Sequence, residues 1–164
     1  MNAIVFFDKN ATYNKYKLHG TIKFHQCTPE SPTKIIFNIQ GFPNDKTRAI
    51  HIHEYGNLTE GCKSAGAHYN PYNKNHGCIF LNNIDRHAGD LINNITPSNG
   101  NVRLEYYDNL VSLFGEHSIL GRTIVIHENK DDLGLGGNAE SLKTGNAGDR
   151  VACFIIGVDK KRHL

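Results

Sequence analysis

Ala49-Ile50-His51-Ile52-His53-Glu54 sets isoleucine and histidine in strict alternation, which is the period of an extended strand. Residues two apart on a strand point to one face, so Ile50 and Ile52 turn one way and His51 and His53 the other. Such a strand offers an apolar side to a core and two imidazoles to one metal ion. A His-x-His pair alone fits a polar strand face equally well. Its surroundings favour the metal: His68, His76, His87 and Asp90 follow, and five of the ten histidines fall between positions 51 and 87. His127 ends a second alternating run, Thr123-Ile124-Val125-Ile126-His127. Imidazole nitrogens suit copper and zinc, and a carboxylate suits a harder partner. The stretch 49–90 reads as a metal site and the rest of the chain as its frame. His19, His25, His117 and His163 join no such cluster and read as surface histidines.

Outward from that strand, further apolar and β-branched runs occupy 3–7, 16–25, 34–39, 48–53, 101–107, 123–127 and 151–158. Turn formers part them, as in Gly41-Phe42-Pro43-Asn44-Asp45 and Thr96-Pro97-Ser98-Asn99-Gly100;. No stretch holds a helical period for ten residues. Seven or eight short strands separated by turns predict an all-β sandwich or barrel. Two segments show no clean strand: 55–89, rich in Gly, Asn and His, and 128–149, with Asp131-Asp132 and several glycines. Long loops of this kind are usually functional or disordered, and three histidines and two cysteines in the first favour function.

The 164 residues fit one domain, 1–164, with 38% hydrophobic and 21% charged residues and a net charge of +2;. That balance is too weak to indicate nucleic acid, and the tail Lys160-Lys161-Arg162 reads as a solvated end. No apolar run is long enough to span a membrane, and Met1-Asn2-Ala3-Ile4-Val5-Phe6-Phe7-Asp8 reads as a first strand, not a signal peptide;. An intracellular, cytoplasmic protein is expected. The Asn-x-Thr triplets at Asn10, Asn57 and Asn94 are then chance matches. Four cysteines, Cys27, Cys62, Cys78 and Cys153, form no Cys-x-x-Cys, which disfavours zinc-finger and thioredoxin-type readings. Spacing does not choose among their pairings. A Cys62–Cys153 bridge would anchor the long loop to the last strand, restricting the unfolded chain by about 4–5 kcal/mol on the chain-entropy account.

Five motifs together resemble the copper/zinc superoxide dismutases. They are Ala49-Ile50-His51-Ile52-His53-Glu54-Tyr55-Gly56, Gly61-Cys62-Lys63-Ser64-Ala65-Gly66-Ala67-His68-Tyr69-Asn70-Pro71 and Arg86-His87-Ala88-Gly89-Asp90-Leu91, then Gly121-Arg122-Thr123-Ile124-Val125-Ile126-His127-Glu128 and Thr144-Gly145-Asn146-Ala147-Gly148-Asp149-Arg150-Val151-Ala152-Cys153. They stand in the family's order over essentially the whole chain. The resemblance implies an eight-stranded Greek-key β-barrel or sandwich, immunoglobulin-like, with a metal-binding loop at about 54–89 and an electrostatic loop at about 128–149.

By the same resemblance each chain holds one copper ion, on His51, His53, His68 and His127, and one zinc ion, on His68, His76, His87 and Asp90. His68 bridges the two and relays a proton. Asp131 matches the carboxylate that ties a copper histidine to a zinc histidine, Cys62 and Cys153 match the family's disulfide, and Arg150 matches the arginine that docks the superoxide anion. Lys143, Thr144 and Glu140 match the residues that guide the anion inward. Homodimer contacts fall on Tyr55-Gly56, Leu120-Gly121 and Val158, and a copper-delivery chaperone is an implied partner.

Several positions depart from the family's pattern. The spacer from His76 to His87 is lengthened and holds Cys78 and Ile79-Phe80-Leu81, either a harmless insertion or a thiol that disturbs zinc. Cys27 reads as a free thiol; whether it pairs with Cys78 stays open. Ala139 stands where an acidic residue is common, Asp149 where a small neutral one is, and Ala49 where glycine is frequent. Two other functions compete. A non-catalytic copper buffer or metallochaperone domain would lack copper ligands or the docking arginine, and all are present here. A zinc hydrolase needs an open position on zinc, which three histidines and Asp90 close.

Overall fold

The computed structural model describes residues 1–81 and 84–160; Lys161, Arg162 and His163 lie outside the described residues, and so do the expectations placed on them. In chain order the strands are β1 (Asn2–Phe7), β2 (His19–His25), β3 (Thr33–Gln40), β4 (Arg48–His53), β5 (Thr59–Cys62), β6 (Asn94–Ile95), β7 (Asn101–Asp108), β8 (Thr123–His127), β9 (Arg150–Ile155) and β10 (Gly157–Val158). One turn of helix, α1 (Ser141–Thr144), lies between β8 and β9. The strands form two antiparallel sheets, ordered β10-β1-β2-β3-β7 and β6-β4-β8-β9, with β5 outside both. The architecture is all-β, as expected. Among the described residues no helix is long and apolar enough to cross a membrane.

The bounds of β4 and β8 match the two alternating runs residue for residue. Elsewhere local geometry shifts the ends. Lys17 has φ 57°, a left-handed conformation that breaks extension, so β2 begins only at His19. The expected strand over 151–158 divides at Ile156, whose N–H and C=O bond Arg122 and Gly121. β9 stays in the smaller sheet, and β10 crosses to pair Val158 with Ala3 of β1. With this division and β6, nine strands pair within the sheets among the described residues, against the eight expected. The long segments also hold more order than their composition suggests, namely β5 and α1.

Val5, Phe7, Ile22, Phe24, Ile35, Phe37, Ile39 and Val102 of the larger sheet meet Ile50, Ile52, Ile124, Ile126, Ala152 and Phe154 of the smaller. Phe7 and Phe154 touch across the gap with ring centroids 4.7 Å apart. The outer side of the larger sheet faces water, with Phe6 and Tyr107 exposed. The smaller sheet differs, because every residue of β4 and β8 is buried. Loop residues cover its second face, where Ala65 packs on Val125 and Cys153 with Leu58 and Tyr13 beside them. Cys62 and Cys153 are joined in a disulfide, which pins this cover to β9. Cys27 is free and exposed, and Cys78 is free and buried.

A second pin is ionic. Arg86 and Asp108 are fully buried, with Arg86 Nη2 donating to Asp108 Oδ1 at 2.8 Å. Asp108 Oδ1 also accepts the N–H groups of Leu110 and Val111, and Arg86 Nη1 reaches the carbonyl of His87. The loop around His87 is thereby tied to the end of β7. Ala49 is buried in β4 without a positive φ, so its methyl causes no strain.

The packing distinguishes two apolar truncations. Ile52→Ala, at a fully buried site between the sheets, should lower unfolding free energy by about 2–5 kcal/mol. Phe6→Ala, 65% exposed, should change it by no more than about 0.5 kcal/mol. Urea unfolding of both would contradict this packing if the two losses were equal.

Candidate metal centre

The covered face of the smaller sheet gathers the histidines. His51 and His53 project from β4, opposite Val125 and Thr123 of β8. His127 ends β8 on the same face, and His68 reaches β4 through an isolated bridge to His53. The ligand atoms of His51, His53, His68 and His127 lie within 4.8 Å of one another, and all four residues are buried.

The outward hydrogen bonds show how these rings are oriented. His53 Nδ1 lies 2.8 Å from the carbonyl of Gly66, His127 Nδ1 lies 3.1 Å from that of Gly148, and His51 Nε2 lies 2.6 Å from Asp131 Oδ2. Each of these oxygens can only accept, so each of those nitrogens carries the proton. The opposite nitrogens are therefore lone pairs. His53 Nε2 and His127 Nε2 face each other at 3.3 Å, and His51 Nδ1 and His68 Nε2 are buried without any hydrogen-bond partner. Lone pairs converging in a buried space favour a cation, so the donor set fits a metal with nitrogen ligands.

A second group lies behind the first. Asp90 Oδ1 meets His68 Nδ1 at 3.1 Å, His76 Nδ1 at 2.9 Å and His87 Nδ1 at 3.0 Å. The other oxygen, Oδ2, accepts the N–H groups of Gly77 and His87 at 3.0 Å each, which fixes the carboxylate with Oδ1 toward the rings. Three imidazole nitrogens and one oxygen suit a four-coordinate zinc ion. His68 belongs to both groups through its two nitrogens. Asp131 also joins them, with Oδ2 on His51 and Oδ1 on His76 Nε2 at 2.9 Å. Cys78, buried in the lengthened spacer, enters none of the three ligand groups.

Arg150 reaches the site because of an irregularity in β9. Ile126 pairs with Ala152, but His127 pairs with Arg150, so Val151 is bulged out of register. A bulge moves the adjoining side chain to the other face; here it sets Arg150, which precedes Val151, opposite His127. Its guanidinium donates to the carbonyls of Cys62 at 2.7 Å and Gly66 at 2.6 Å. These acceptors are uncharged, so its positive charge is not cancelled. Arg150, Glu140, Thr144, Asn146 and the rings of His53, His68 and His127 line a cavity of about 380 Å³. Lys143 lines the neighbouring cavity instead, with Lys74, His68 and His87.

With this geometry in view, the comparisons with known proteins are decisive. A profile of the family copper/zinc superoxide dismutase (SODC) matches residues 18–156. A protein of Cryptococcus neoformans var. grubii, "Superoxide dismutase [Cu-Zn]", is 49% identical over 86% of this chain and 90% of its own. Namesakes from Humicola lutea and Yarrowia lipolytica are 49% and 47% identical, over 87% of this chain and 92% and 91% of theirs. The chain belongs to the copper/zinc superoxide dismutase family.

Several supports of this family site carry no signal in residue type. The carbonyls of Gly66 and Gly148 orient two rings, and any residue could supply them. Asn94 grips Asp131 reciprocally, its Oδ1 accepting the Asp131 N–H at 2.8 Å and its Nδ2 donating to the Asp131 carbonyl at 3.0 Å. Asn93 donates to Asp131 Oδ2 and to the Gly77 carbonyl; the adjacent asparagines were the one visible hint. Gly145 is required at its place, since its φ is +67° and a Cβ would collide with Asp131 and His76.

Without metal the two groups titrate in opposite directions. Burial, and then the charge His51 would carry, push His68 down to about 3 from an ordinary 6.5. Burial also lowers His53 and His127. Burial opposes the charge on His76 too, but hydrogen bonds to Asp131 and Asp90 win and raise it to about 9. Against their own burial, the histidines hold Asp90 and Asp131 below the usual carboxylate range. A histidine with a depressed pKa loses its stabilising effect as pH falls below 6.5, and one with a raised pKa loses it as pH rises toward 9. The chelator-treated protein should therefore melt highest near pH 6.5 and lower by pH 9. Zinc held at His76 would displace that proton, so a protein loaded there should lack the alkaline decline. An equal decline in both forms would count against a protonated His76.

Proposed function

We propose that His51, His53, His68 and His127 hold copper, that His68, His76, His87 and Asp90 hold zinc, and that the pair serves superoxide dismutation. The reaction balances as two superoxide anions and two protons giving hydrogen peroxide and dioxygen. The observation that carries the assignment is the convergence of four imidazole lone pairs, those of His51 and His68 unpartnered, beside a cavity that His53, His68, His127 and Arg150 line. When bound, copper supplies one-electron redox cycling and zinc a fixed, redox-silent charge.

The chain's own groups do the rest. Arg150 offers a permanent positive charge and unshared donor capacity to a small anion. Its charge survives the lowering of its pKa by burial, since the ordinary value is so high. His68 Nε2 faces the cavity group while Nδ1 is held among Asp90 and the zinc histidines. It is the atom that takes a proton in one half-cycle and hands it to the reduced dioxygen in the next. Asp131 fixes the ring planes of His51 and His76 together. Glu140 and Thr144 shape the cavity mouth, joined by a hydrogen bond of 2.9 Å, and Lys143 adds positive potential beside it. Such focusing raises association rates by about tenfold to a thousandfold.

The same proposal covers the assembly. The chain forms one Greek-key domain, 1–164, whose loops at 54–89 and 128–149 carry the metals and the guiding charges; the crossings from β3 to β4 and from β7 to β8 between sheets support it. A homodimer is supported by the exposure of Tyr55 and Val158, with Gly56 lying against Gly121. Free thiols at Cys27 and Cys78 suit a reducing cytoplasm;, and copper would then come from a delivery chaperone.

Two substitutions test the roles. Arg150→Ala should lower kcat/KM for superoxide about tenfold or more and flatten its fall with ionic strength, with metal content unchanged. Full activity with the parent's salt dependence would remove Arg150 from anion capture. Asp131→Asn should weaken zinc binding by about 10–100-fold, read by competition with a chromogenic chelator. Bound copper without turnover in the parent protein would make it a copper buffer instead.

A further inference from the structure

Away from the metals, the end of β2 carries a second constellation. Asn2 of β1 pairs directly with His25 of β2, and its Oδ1 lies 2.6 Å from His25 Nδ1. An amide oxygen only accepts, so Nδ1 bears the proton and Nε2 is a lone pair. Cys27 Sγ lies 3.3 Å from that Nε2. The residue between them is an anchor: Gln26 is buried, its Oε1 accepting the Leu113 N–H at 2.7 Å and its Nε2 donating to the Ser31 carbonyl at 2.8 Å. Fixing Gln26 inward turns His25 and Cys27 outward together, so the contact is built and not left to a free chain end. Cys27 is exposed, so a small reagent can reach the sulfur. Thiol, imidazole and amide in this order are the parts by which cysteine enzymes raise a nucleophile.

We propose that Cys27, with His25 as its base and Asn2 as the orienting group, is a peroxide-sensitive thiol that is oxidised and then capped by a small thiol. The Cys27 proton moves to His25 Nε2 as the sulfur attacks one oxygen of hydrogen peroxide. The O–O bond breaks, and the leaving hydroxide takes the proton from His25 and departs as water. Sulfur is oxidised to the sulfenic acid, peroxide is reduced to water, and His25 returns neutral. A small thiol then condenses with the sulfenic acid, releasing a second water and leaving a mixed disulfide. The oxidant is the product of the dismutation proposed above, although the thiol chemistry itself does not depend on that activity. Within the chain no other described thiol competes, because Cys78 is buried and Cys62 and Cys153 are bridged.

The test uses the metal-loaded protein. Chloroacetamide labelling followed over pH, and trapping with a 1,3-dione after hydrogen peroxide, are read peptide by peptide by mass spectrometry. Cys27 should label while native Cys78 does not, and His25→Gln should slow Cys27 at least about tenfold and remove the step in its pH profile. Asn2→Ala should slow it less. Cys27→Ser should abolish the dione adduct and leave dismutase activity unchanged. Equal Cys27 rates in the parent and His25→Gln would overturn the proposal, as would a Cys27 silent in the native protein and reactive only after denaturation.

Discussion

Buried imidazole lone pairs aimed at one another are the constraint on which the rest of this structure depends. His51, His53 and His127 each donate outward from one nitrogen, which leaves the other nitrogen facing the shared centre. A buried acceptor without a donor costs about 1–3 kcal/mol, and several such acceptors repel one another as well. Local sequence preference alone would not assemble this arrangement. It is held by what surrounds it and relieved by a cation.

The surroundings are a sheet buried on both faces. One face packs into the sandwich core through Ile50, Ile52, Ile124 and Ile126. The other lies under loops that have little apolar area of their own, and these are fixed by discrete pins. The disulfide fixes 62 to 153, Arg86–Asp108 fixes the stretch before His87, and Asn94 fixes Asp131. In the second loop Asp132 accepts from Ser141 Oγ at 2.7 Å and from Asn146 Nδ2 at 2.6 Å. Removing one partner of a buried ion pair costs about 3–5 kcal/mol, so the Arg86 pin matters far more than any surface pair such as Lys34–Glu105. Loop order and metal geometry are therefore one property, because Asp131 and Asp90 serve both.

Much of this was legible in the sequence, for uneven reasons. The alternating runs at β4 and β8 marked their strands to the residue, since β-branched and histidine positions could not trade faces without turning the imidazoles into the apolar core. The histidines and Asp90 stood out by type, but their division into two groups came through resemblance, and periodicity was silent on it. Left-handed Lys17 and the division at Ile156 were illegible, because neither residue type announces its conformation. The displaced register that turns Arg150 toward His127 depends on pairing between distant strands, which no local pattern records. His25 read as an idle surface histidine; its contacts with Asn2 and Cys27 join residues of two strands and appear only once those strands pair.

The arrangement of charge separates a metal store from a site built for a small anion. Both carboxylates of the centre, Asp90 and Asp131, are fully buried behind the imidazoles, where the histidines and their cations neutralise them. Neither lines the cavity. What faces the cavity is a floor of rings and one guanidinium whose hydrogen-bond partners, the carbonyls of Cys62, Lys63 and Gly66, carry no formal charge. Had Arg150 been neutralised by a carboxylate, the same residue would hold the loop equally well and attract nothing. Glu140 lines the cavity wall, and its Oε1 accepts from Thr144, while Asp149 is exposed beside Arg150; both trim the attraction from positions where solvent screens them. Arg150 is less exposed than either carboxylate and lies beside the rings, so of these three charges it is the one that solvent screens least;.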